Sequence, residues 1–102
     1  MEKQRCVKID ELMKNMLICA LRDVFREEKK QGQSITDTRN LVLKLAEYEE
    51  TKLFLTDVEY HKAVQALNML RNNYIDAGRY TDGIDGVLMK ILRAKYKRCL
   101  MK

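Results

Sequence analysis

The chain has 102 residues, 20 Lys/Arg against 15 Asp/Glu, a net charge of +5 and 46% hydrophobic residues. That is the size and composition of one globular domain, not of a disordered chain, and the span 1–102 is expected to fold as a single helical domain. Its longest apolar runs, such as Met16 to Leu21, fall far short of the roughly 20 residues of a membrane span.

The N-terminal stretch MEKQRCVKID lacks the apolar segment of a signal peptide, so a cytoplasmic location and no membrane partner are expected. Cys6, Cys19 and Cys99 include no CxxC pair, and an odd count makes a poor disulfide framework, so reduced thiols are expected. The chain contains no proline, which with its Leu, Met, Lys and Glu content favours helices.

The apolar spacing predicts four helices in chain order. Cys6 to Ile9 comes first, a short segment of ambiguous state. A helix from about Asp10 to Lys30 follows, with Ile9, Met13, Met16, Ala20 and Val24 on one face. Leu17, Leu21 and Phe25 widen that face, so two sides of the helix should be contacted, which leaves room for a homodimer. Gly32 suits its stop. Ser34, Thr36 or Asp37 is expected to cap a second helix carrying Leu41, Leu45 and Tyr48 and fraying near Glu50 or Thr51. Lys52 to Leu55 is ambiguous between connector, strand and helix, and pairs with Cys6 to Ile9 if both are strands. Thr56-Asp57-Val58-Glu59 is a capping box that starts a third helix with the stripe Tyr60, Ala63, Val64, Leu67, Leu70 and Tyr74, ended by Gly78. Thr81 is the expected cap of a fourth helix striped by Ile84, Val87, Leu88, Ile91 and Leu92. The fold class is therefore all-α: a compact bundle of about four helices with at most a minimal two-stranded ribbon. No internal repeat is visible.

Motifs that carry chemistry are scarce. Gly83-x-x-Gly86 matches the bare phosphate-clamping loop of a KH module, but Asp82 and Asp85 beside it would repel phosphate and the strand pattern is missing. DAGRYTDGIDG fails as a calcium loop in either register, and its aspartates suit a helix N-terminus instead. The lone His61 lies beside the apolar stripe, with no second ligand at zinc spacing and no Cys or Ser partner in sequence for a catalytic dyad. Met69 and Val58 point opposite the third helix's stripe, toward a second contact surface, internal or intermolecular. No catalytic residue, metal site or cofactor site is expected, and the chain reads as a non-enzyme.

The charge excess sits at the end: residues 87–102 hold six Lys/Arg and no acid. On a continuing helix Lys90, Arg93 and Lys97 share the solvated back, while Lys95 and Arg98 continue the direction of the core stripe. The expectation is a helix that outruns the bundle after about Ala94, basic nearly all round. Lys90, Arg93, Lys95, Lys97 and Arg98 are the expected partner-binding residues.

Leu55 to Lys97, through LTDVEY, ALNMLRN and GRYTDGIDGVLMKIL, resembles small uncharacterised proteins of prophages and mobile elements of Gram-positive gut bacteria. The resemblance covers under half the chain and carries no site residue. It implies mobile-element work: inhibition of host defence, replication control or transcriptional regulation. With the basic end, this leads to the expected function, a non-catalytic protein that occludes a host protein or nucleoprotein complex in the anti-CRISPR manner. The alternative is a regulatory protein that binds DNA or RNA directly through the basic end.

Overall fold

In a computed structural model the described residues are 3–98, with Lys3, Lys97 and Arg98 described by backbone alone. The order is β1 (Lys3–Lys8), α1 (Glu11–Lys30), α2 (Thr36–Ala46), β2 (Lys52–Leu55), α3 (Asp57–Asp76), α4 (Asp82–Leu92) and β3 (Lys95–Arg98). Four helices dominate, joined by a small antiparallel sheet of order β2-β1-β3. The expected ribbon between Cys6–Ile9 and Lys52–Leu55 is the β1–β2 pair, and a third strand joins it.

Local signals explain most boundaries. The Asp10 side chain caps α1 by accepting from the Met13 amide at 2.8 Å. The Thr56 capping box starts α3, with both reciprocal bonds formed. Gly32 and Gly78 both take φ +71°, and the amides that follow them, at Gln33 and Arg79, reach back to Glu28 and Tyr74, closing each long helix with a Schellman turn. Two expected caps differ. The N-cap position of α2 is Ile35 and has no side-chain bond. Thr81 holds the N-cap position of α4 but donates its hydroxyl to Asp85 rather than capping an amide.

The wide apolar face of α1 is covered within the chain, by α3 on one side and α2 on the other. Met13, Leu17, Ala20, Leu21 and Val24 are buried there, against Ala63, Ala66 and Leu67 of α3. Met69 packs at the margin of the same core, so its second surface is internal, whereas Val58 is exposed.

The structure corrects two expectations. The chain contains a repeat: α1 and α3, and likewise α2 and α4, start and end 46 residues apart, as Glu11 and Asp57 or Ala46 and Leu92 show. Shifting by 46 maps the β1–β2 register onto itself, with Val7 facing its own counterpart Leu53 and the pair Cys6–Phe54 becoming Lys8–Lys52. Two βαα units therefore sit about a pseudo-twofold axis through the Val7–Leu53 pair. Identity between the units is confined to Ala20/Ala66, Leu21/Leu67, Gly32/Gly78 and Lys44/Lys90. Packing asks for apolar residues of suitable size at the stripe positions rather than for identical ones, so the two units share a pattern and few letters.

The second correction concerns the basic end. α4 does not outrun the bundle: it stops at Leu92, and the chain turns at Arg93–Ala94 into β3, which pairs with β1. The free edge of β1 offers unpaired backbone groups, and pairing them outweighs a further unpacked helical turn. The equivalent outer edge of β2 is closed, because Tyr48 Oη donates to the Lys52 carbonyl and Lys44 Nζ donates to that of Phe54 at 2.6 Å. At the counterpart of Tyr48 stands Ala94, whose small side chain leaves the β1 edge open to a strand.

Candidate functional site

Strand alternation divides the sheet into two faces. Val7, Leu53 and Leu55 turn inward and are buried. Gln4, Cys6 and Lys8 of β1, Lys52 and Phe54 of β2, and Lys95 of β3 turn outward, and the three lysines are exposed. Lys8 faces Lys52 directly across the β1–β2 pair, and Lys95 faces Cys6 across β1–β3. The neighbouring Ile9–Thr51 pair is hydrogen-bonded at 2.8 Å, so Lys8–Lys52 is a non-hydrogen-bonded pair, the kind with the closer side chains.

Two expected partner-binding residues, Lys90 in the last turn of α4 and Arg93 just after it, join this face. Lys90 and Arg93 line a shallow hollow of about 270 Å³ with Lys8, Lys95, Cys6 and Ala94. Lys90, Arg93 and Lys95 are therefore brought together, though at a helix-to-strand turn and not along one helix. The side chains of Lys97 and Arg98 lie outside the described residues; their backbones continue β3 opposite Gln4 and Lys3. Among the described residues none of Lys8, Lys52, Lys90, Arg93 and Lys95 has a carboxylate partner. Asp10 adjoins Lys8 and Lys90, but its carboxylate is engaged by the Met13 amide.

Lys8 and Lys52 were missed from sequence. Each stands in a short segment of ambiguous state, Cys6–Ile9 or Lys52–Leu55, and only the register of one strand against the other makes them neighbours.

β3 is held by an aromatic clamp on the inner side. The Arg5 guanidinium lies 4.0 Å from the Tyr60 ring centroid and 4.5 Å from that of Tyr96. Arg5 Nη1 donates to the Ala94 carbonyl at 3.1 Å, while its Nε is buried without a hydrogen-bond partner among the described residues. Tyr96 Oη donates to Asp57 Oδ1 at 2.7 Å. That bond raises the Tyr96 phenol above its ordinary range, since the Asp57 carboxylate accepts only from the neutral form. A raised folded-state value means a contribution present in full below the unfolded pKa of about 10 and lost as pH rises through the folded value. Amide-exchange protection of β3 should therefore fall in strongly alkaline solution more steeply in the wild type than in Tyr96→Phe. Arg5→Met should weaken it at every pH. Equal pH profiles for wild type and Tyr96→Phe would refute the clamp.

His61 is exposed and stacks edge-on with Tyr60 at 5.6 Å. Cys19 is exposed and Cys6 half-buried; Cys99 lies outside the described residues. Gly83 and Gly86 sit in the first two turns of α4, where a Cβ on Gly83 would touch Met16 at an ordinary 3.8 Å. Among the described residues no group of three His, Cys, Asp or Glu is placed to hold a metal ion, and no helix is long and apolar enough to cross a membrane. No family model, curated protein sequence or solved structure matches this chain.

Proposed function

We propose that this protein is a non-catalytic binder that occludes a macromolecular partner by laying the basic sheet face on a polyanionic surface. A host nucleoprotein complex is the partner class, and anti-defence inhibition of the anti-CRISPR kind is the role that suits the resemblance to mobile-element proteins. The observation that carries this reading is the Lys8–Lys52 pair. Like charges directly opposite in a sheet destabilise it, so folding alone does not favour them, whereas an anion bridging the two would. Lys90, Arg93 and Lys95 extend the same field.

A second reading, direct DNA or RNA binding, draws on Phe54. This half-exposed aromatic lies on the open sheet face opposite Cys6 and next to Lys52, an arrangement suited to stacking a base among cations.

Lys52→Glu tests the face because folding and binding should move in opposite directions. Stability should hold or rise, by up to about 1 kcal/mol in a urea titration. Retention on a polyanion column should fall, and further in Lys8→Glu/Lys95→Glu. Unchanged retention in both variants would remove the proposal. A mobility shift with short DNA and RNA, weakening steeply with salt and lost in Phe54→Ser, would favour the second reading.

A further inference from the structure

The pseudo-symmetry supplies an internal control for a groove remote from the basic face. α1 and α2 enclose a mainly apolar groove of about 390 Å³, floored by Phe25, Val42 and Leu43 and rimmed by Arg22, Arg26 and Arg39. It begins about 18 Å along α1 from the sheet end. Leu43 is 53% exposed. Arg26 makes an exposed pair with Asp23 at 3.4 Å, but Arg22 and Arg39 have no carboxylate partner among the described residues.

The counterpart positions between α3 and α4 are built differently. At the places of Phe25 and Arg39 stand Arg71 and Asp85, and Arg71 Nε donates to Asp85 Oδ1 at 2.6 Å. The Asp85 carboxyl is held below its ordinary range, first by Arg71 and then by the Thr81 hydroxyl. One half of the molecule thus spans its helix–helix groove with its own carboxylate–arginine pair. The other half has Phe25 in place of Arg71 and Arg39 in place of Asp85, so no carboxylate–arginine pair spans its groove and the arginines at its rim stand at positions that are not arginine in the first.

We propose that the α1–α2 groove docks an acidic amphipathic helix of a partner protein. Its apolar residues at i, i+3 or i+4, and i+7 would cover Phe25, Val42 and Leu43, and its flanking carboxylates would meet Arg22 and Arg39. Charge complementarity selects the acidic character. The groove walls select a helix: α1 and α2 use their backbone groups internally, so an extended peptide would find no ladder partner, whereas a helix satisfies its own. This site is independent of the basic face.

The test pans the full chain against a displayed library of helical peptides randomised at apolar and flanking positions. Enriched peptides should carry Asp or Glu beside the apolar stripe. Phe25→Arg/Arg39→Asp, which transplants the Arg71–Asp85 pair, should weaken them at least tenfold. So should Arg22→Glu/Arg39→Glu, which alters exposed residues only, while Lys8→Glu/Lys52→Glu should leave them unchanged. No enrichment, enriched peptides without acids, or undiminished binding to the Arg22→Glu/Arg39→Glu protein would overturn the site. Sedimentation showing a dimer of the wild type that Leu43→Glu dissolves would overturn it in favour of a second copy of this chain.

Discussion

Glu28→Ala is expected to cost about 3 kcal/mol of stability, at the low end of what breaking a buried ion pair removes. Glu28 is 4% exposed, forms an ion pair with Lys62, and accepts from the Thr38 hydroxyl at 2.7 Å. Truncation would strand that fully buried hydroxyl, leave the largely buried Lys62 ammonium uncompensated and open a small void. The pseudo-symmetric positions are Tyr74 for Glu28, Ile84 for Thr38 and Met16 for Lys62. The same architectural slot is thus polar in one half and largely apolar in the other. The triple variant Glu28→Met/Thr38→Val/Lys62→Met should accordingly recover most of the loss, since well-packed apolar replacements of a buried pair are often neutral or stabilising. Urea midpoints for the single and triple variants decide the matter. A triple variant no more stable than Glu28→Ala would mean that the slot requires its charges.

Leu21→Ala and Leu67→Ala should each cost about 3 kcal/mol, within the range of buried leucine truncations. Both side chains are fully buried, at 0% exposure, on equivalent turns of the two long helices that pack against each other. Equivalence about the axis makes a sharper statement than either cost alone: the two losses should agree within about 1 kcal/mol. Because α1 and α3 share one core, the double variant should depart from additivity by at least about 0.5 kcal/mol. Thermal or urea denaturation of the three proteins measures all of this. Single-variant costs that differ several-fold would show that the backbone symmetry does not extend to packing.

The candidate face shows where sequence reading reaches its limit. Lys90, Arg93 and Lys95 were legible as an acid-free cluster near the end of the chain. Their setting was not, because Lys95 has one set of neighbours on a helix and another on a strand. Four residues after Arg93–Ala94 carry no periodicity long enough to separate the two states, and no glycine or proline marks the stop after Leu92. The β1 edge decides it, through backbone pairs formed between residues about 90 positions apart. Lys8 and Lys52 became site residues by the same route.

Local signals in the chain alone determined the four helices. Asp10, the Thr56–Glu59 box, Gly32 and Gly78 set helix ends through bonds within a few residues, and the stripes set which sides are buried. Only the tertiary structure decided the third strand, the twofold relation of the halves, the Lys8–Lys52 confrontation and the unbridged α1–α2 groove. The physical reason is range. Caps and stripes are interactions between near neighbours, readable in order, whereas strand register and pseudo-symmetry arise from contacts whose partners are chosen by what remains unpaired once the helices have packed.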